Sequence, residues 1–101
     1  MINIAYSQLE KGEHIITVDG HAQYAPPGQD IVCAGVSALA YAAAAALEQR
    51  AVHFIFQDDE SGLTLHARAS EENADFVDGV FSTASAGFDM IAEQYPDYVT
   101  F

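Results

Sequence analysis

The sequence predicts an α+β fold: a two-layer sandwich in which a mostly antiparallel sheet of two hairpins packs against two helices, in the order ββαββα with a candidate fifth strand at the end. Three observations predict it. Apolar and polar residues alternate over a first pair of short runs, residues 2–9 and 14–19, around a polar turn that contains Gly12. A second pair, 51–57 and 63–69, flanks an acidic turn ending in Gly62. Each pair is followed by a long segment with apolar residues at helical spacing, and the stripe on each helix must be buried against the sheet.

Taken in order, Ile2, Ile4 and Tyr6 alternate along the first strand, Glu10-Lys11-Gly12-Glu13 turns the chain, and Ile16 and Val18 share one side of a strand from His14 to Asp19. This hairpin delivers His21 at its exit. Asp30 is the natural N-cap of a helix from about Asp30 to about Arg50. Its alanine run, Ala42 to Ala46, permits close approach either within the chain or of a second copy. Ala51 to Gln57 and Leu63 to Ala69 form the second hairpin, turning over Asp58 to Gly62. Ser70 is placed to cap the second helix, and Glu71 and Glu72 suit its positive end. Phe76, Val77, Val80, Phe81, Ala84, Phe88 and Ile91 form its stripe, Pro96 stops it, and Tyr98 to Phe101 is the candidate last strand.

At 101 residues the chain makes one domain, 1–101, with one modest core. The net charge of −12, from 15 acidic residues against Lys11, Arg50 and Arg68, repels phosphate backbones and disfavours nucleic acid as a partner. It suits a basic protein partner, and equally it serves solubility. No apolar run reads as long enough to cross a bilayer, and MINIAYSQLE lacks the basic and continuous apolar regions of an export signal, so no membrane partner and a cytoplasmic setting are expected. One cysteine forms no internal disulfide. His53 and His66 lie on adjacent strands, but without Cys-x-x-Cys or His-Glu-x-x-His they and His14 read as ordinary strand histidines. Asp58-Asp59 reads as a solvated turn, and no phosphate-cradling glycine run is present. No metal and no other cofactor is expected.

The chemistry concentrates in Gly20–Ser37, GHAQYAPPGQDIVCAGVS. Cys33 falls in the first turn of the helix capped by Asp30, where unpaired N–H groups and the positive end of the dipole favour a thiolate. Ser37 lies one turn on, on the same face, with a hydroxyl able to donate to the sulfur. His21 precedes Cys33 across a Pro/Gly loop long enough to fold back over the helix start, bringing a base to a nucleophile. On spacing alone a buried core cysteine and a solvated histidine fit as well.

The same segment resembles the ribosomal-processing cysteine protease family Prp in Gly20-His21-Ala22, Gly28-Gln29-Asp30, Ile31-Val32 and Cys33-Ala34-Gly35-Val36-Ser37. The resemblance implies a protease whose catalytic residues fall on His21 and Cys33. It further implies a homodimer that removes a short N-terminal extension from large-subunit ribosomal protein twenty-seven. The chain departs from a glycine-rich loop at Pro26-Pro27, which stiffens it. The mechanism expected is hydrolysis through an acyl-enzyme, with His21 as base and then acid, and first-turn N–H groups around Cys33 and Ala34 facing the oxyanion. Asp30 either orients His21 or only caps the helix. Gly20 and Gly28 read as hinges of a lid from Ala22 to Gln29, in which Tyr24 contacts substrate or merely packs. The competing readings are a non-catalytic binder of a basic ribosomal peptide and a thiol-dependent acyltransferase.

Overall fold

The computed structural model describes residues 1–101. Strands β1 (Ile2–Glu10) and β2 (Glu13–Asp19) form the first hairpin, followed by helix α1 (Ile31–Gln49). Strands β3 (His53–Asp59) and β4 (Gly62–Arg68) form the second, followed by helix α2 (Ala74–Gln94) and a two-residue strand β5 (Val99–Thr100). The sheet order is β3-β4-β2-β1-β5. All pairings are antiparallel except the last, where β5 runs parallel to β1 with Ile2 opposite Val99.

Period-two alternation fixes which face is covered. Tyr6 pairs with Ile16, and Ile16 with Leu65, which sets one apolar row across three strands. Both helices lie over that row. From α1, Val32, Val36, Ala40, Ala43, Ala44 and Leu47 are buried, and from α2, Val77, Phe81, Ala84 and Phe88. Phe81 and Phe88 are completely buried, each worth about 1.5–3 kcal/mol of transfer free energy.

α1 departs from one expectation. Its alanines make it long and apolar enough to cross a membrane by length and composition, with a mean hydropathy of 1.7. Six of its side chains are buried against the sheet and α2, which accounts for that character as a core helix.

Two boundaries also differ. Asp58 and Asp59 stay in the ladder, opposite Leu63 and Gly62, so the acidic pair is strand and only Glu60-Ser61 turns. Ser70 makes no side-chain cap; one 3₁₀ turn, Glu71–Asn73, intervenes before α2 begins.

His14 is the one buried polar side chain, 1% exposed. Its Nδ1 lies 2.7 Å from the Tyr6 hydroxyl and its Nε2 lies 2.6 Å from Asp78 Oδ1, while its ring stacks on Phe81 at 4.6 Å. Asp78 also accepts from the Gly12 N–H at 2.9 Å and from Lys11 at 3.4 Å. Those donors, His14 first, hold its carboxyl below the usual carboxylate range against the opposing effect of burial. Read from sequence as an ordinary strand histidine, His14 instead ties the first hairpin to α2.

Candidate active site

The site is assembled where β2 ends and α1 begins. Asp30 caps α1: one carboxylate oxygen accepts the N–H groups of Val32 and Cys33, both at 3.0 Å, and the other accepts from Tyr24 at 3.1 Å. The Cys33 N–H is the leading cause that its carboxyl lies below the usual range. No hydrogen bond joins Asp30 to the His21 ring, so the cap is the role the geometry shows.

Cys33 is half-buried in that first turn. The Ala22 N–H is directed at its Sγ at 3.4 Å. Ala22 itself is buried, so its side chain anchors the loop in the core while its backbone meets the thiol. His21 is exposed, and its carbonyl accepts from the Met1 amino nitrogen at 2.7 Å. The imidazole is not hydrogen-bonded to Sγ here, yet both residues line the same two grooves, one on each side of the thiol. Ser37 lines both as well, but its hydroxyl makes no bond to the sulfur.

The grooves differ in chemistry. One, of about 520 Å³, runs between α1 and the β3–β4 turn and is lined by Asp19, Asp58, Asp59 and Glu60. The other, of about 730 Å³, lies under the loop, with Ala25, Pro27, Ile31 and Ala34 on its walls. Asp58 accepts from the Tyr41 hydroxyl at 2.5 Å, and Ser61 through its hydroxyl and N–H holds the Asp59 carboxyl below its usual range. In the sequence Asp58 and Asp59 look like a solvated turn, which hides their place on this groove. The signal available was Tyr41, one turn past Ser37, facing the neighbouring strand.

The expected oxyanion donors are spent. The Cys33 N–H bonds the Asp30 carboxylate and the Ala34 N–H bonds the Asp30 carbonyl at 3.1 Å, as any fourth residue of a helix does. The donor that does face the sulfur is Ala22. Of the two glycines, Gly20 (φ +83°) is clamped: a Cβ there would stand 2.2 Å from the Met1 carbonyl oxygen. Gly28 (φ +87°) has open space around it and is the freer point for rotation. Tyr24 packs edge-on against Tyr95 and Tyr98.

A thiol at a capped helix start, between two grooves shared with a histidine, is matched by the family model for cysteine protease Prp, which covers residues 1–100. The chain belongs to the Prp cysteine protease family. It is 30% identical over 94 residues to the ribosomal processing cysteine protease Prp of Mycoplasma pneumoniae, covering 93% of this chain and 91% of that one. It is 28% identical over 89 residues to the Staphylococcus aureus Prp, covering 83% and 80%. Among solved structures, it matches the S. aureus Prp in complex with a covalently linked product peptide at a TM-score of 0.81, with 26% identity over 99% of this chain and 96% of that one. The S. aureus Prp with a substrate peptide matches at a TM-score of 0.76, with 25% identity over the same shares. The α+β architecture is thus the Prp fold, and the chain is a cysteine protease of a ribosomal-processing family.

Proposed function

We propose that this protease uses a Cys33–His21 dyad to remove the N-terminal extension of large-subunit ribosomal protein twenty-seven during bacterial ribosome maturation. The observation that carries the reading is the position of the chain's one thiol, half-buried at the meeting of two grooves that His21 also lines. A peptide crossing from one groove to the other passes its backbone over Sγ. His21 closes the remaining distance with substrate bound, as catalytic hydrogen bonds that are long in an empty site commonly do.

His21 takes the thiol proton as Sγ attacks the scissile carbonyl carbon, and it returns that proton to the amine nitrogen as the C–N bond breaks. Water, deprotonated by His21, then hydrolyses the thioester and frees the thiol. The Ala22 N–H, aimed at the sulfur, is the donor available to the tetrahedral oxygen formed there. The four carboxylates of one groove support a basic peptide on that side of the bond, and the more apolar walls of the other support an apolar segment.

The reading is tested with a synthetic peptide spanning the extension and the first residues of the mature ribosomal protein. Mass spectrometry is expected to find one cut, a free new amine and a free carboxylate, and no cut with Cys33→Ala. An uncut peptide, or an acyl group passed to an added amine in place of water, overturns it. The same reading takes the enzyme as a cytoplasmic homodimer. The groove between α1 and α2, lined by Leu39, Ala42, Phe76 and Val80, offers an apolar face for a second copy, and sedimentation velocity at micromolar concentration tests that.

A further inference from the structure

The loop that carries His21 is held by a seat on another part of the molecule. After Ala22, Gln23 takes a left-handed conformation, φ +56°, uncommon for a residue with a Cβ. Tyr24 follows. Its ring stands edge-on to Tyr95 at 5.6 Å and to Tyr98 at 5.2 Å, with interplanar angles of 83° and 78°. Apart from half-buried Ala25, the loop beyond Tyr24 is exposed as far as Gln29.

The seat is fixed by backbone bonds. The Tyr95 N–H bonds the Ile91 carbonyl at 2.8 Å and ends α2, and the Tyr95 carbonyl accepts from both Tyr98 and Val99. The Tyr98 carbonyl in turn accepts the Ile2 N–H of β1 at 2.8 Å. Both rings therefore stand on a turn bonded to α2, β5 and β1.

We propose that Tyr95 and Tyr98 are positioning residues for the protease reaction: they seat Tyr24, and through the strained turn at Gln23 they hold His21 beside Cys33. The inference rests on the reading of His21 and Cys33 as the reacting pair. A left-handed non-glycine residue persists only where its surroundings hold it; buried Ala22 holds Gln23 on one side, and on the other the Tyr24 N–H bond to Asp30 and the three rings do. Without the rings Tyr24 loses its packing, Gln23 relaxes, and His21, two residues before Gln23, is held less closely.

Tyr95→Leu and Tyr98→Leu are each expected to lower kcat for peptide cleavage about three- to tenfold with little change in KM, the factor corresponding to one aromatic pair. Tyr95→Phe and Tyr98→Phe, which keep the rings, are expected to restore it. Tyr24→Leu combined with Tyr98→Leu is expected to be no worse than Tyr24→Leu alone. Hydrogen exchange at the Tyr24 amide, which bonds Asp30, needs no substrate and is expected to quicken by a similar factor in the leucine variants only. Unchanged kcat, phenylalanine variants as poor as leucine ones, or activity lost in step with melting temperature while the Tyr24 amide exchanges as before would each overturn the seat. Failure of the wild-type chain to cleave would instead overturn the dyad reading, and the exchange experiment would still decide whether the seat exists.

Discussion

Replacing Gly20 by alanine tests whether the position of His21 is set by the close packing of the chain beside it. A Cβ at Gly20 would lie 2.2 Å from the Met1 carbonyl oxygen, against 3.4 Å for ordinary contact, so one segment must move by roughly an ångström. The residue also sits at φ +83°, where a Cβ costs about 1–2 kcal/mol. Relaxation cannot fully separate these effects, because the Met1 amino nitrogen bonds the carbonyl of His21 itself. Moving Met1 pulls on His21; moving Gly20 carries His21 along. A misplacement of about 1 Å in a reacting group is worth about 100-fold in rate. Gly20→Ala is therefore expected to lower kcat/KM for peptide cleavage about 100-fold and the melting temperature by about 5–15 °C, taking about 4–8 °C per kcal/mol. Gly28→Ala is the control: the same left-handed backbone, φ +87°, with nothing within 4 Å of the new Cβ. It is expected to cost less than tenfold in kcat/KM. Gly20→Ala with wild-type kcat/KM, or the two variants equally impaired, would refute the packing argument.

Cys33→Ala and Cys33→Ser are expected to abolish cleavage while the melting temperature stays within a few degrees, since the site lies at a helix start and not in the central core. His21→Ala is expected to cost nearly as much, and the double variant little more than either single one, measured by kcat. Phe81→Ala, at a fully buried ring stacked on His14, is expected to cost about 3–5 kcal/mol by denaturant titration. The depressed carboxyl of Asp78 contributes stability that is present above the ordinary carboxylate range near pH 4 and lost as pH falls through its own lower value. Melting temperature is thus expected to fall steeply below about pH 4 in the wild type and less steeply in Asp78→Asn. Asp58→Asn together with Asp59→Asn is expected to raise KM several-fold for a lysine-containing peptide and to leave it unchanged for one with lysine replaced by glutamine.

The fold was legible because its signals are local. Alternation through Ile2, Ile4 and Tyr6, the cap at Asp30 and the stop at Pro96 each act over a few residues, and the elements appear where those signals put them. The meeting of His21 and Cys33 was less so: spacing alone allows a buried cysteine and a solvated histidine, and the structure brings the two to shared grooves without a bond between imidazole and thiol. What was not legible depends on partners distant in the chain. Asp58 and Asp59 look like a turn until their pairing with Leu63 and Gly62 is known. The carboxylate of Asp78 lies 64 positions from His14 and no pattern links them. The oxyanion expectation fails for a different reason: a first-turn N–H looks free in the sequence, although a good cap consumes some of them by its nature.

The cluster of Tyr6, Asp78 and buried His14 also bears on which pairings the chain refuses. In a hairpin, slippage by one position turns every side chain to the opposite face. Here such a slip would take His14 out from between its two partners and bring Glu13 or Ile15 round to face α2. Ile15 offers Asp78 no donor, and Glu13 sets a second negative charge beside it. At the position of Ile16 alternation alone penalises the error only weakly, because Ile15 is as apolar and either can fill that place in the core. A single imidazole, able to bond only in the right place, makes the neighbouring registers costly, and so the strand that leads to Gly20 and His21 leaves the sheet at one point and no other.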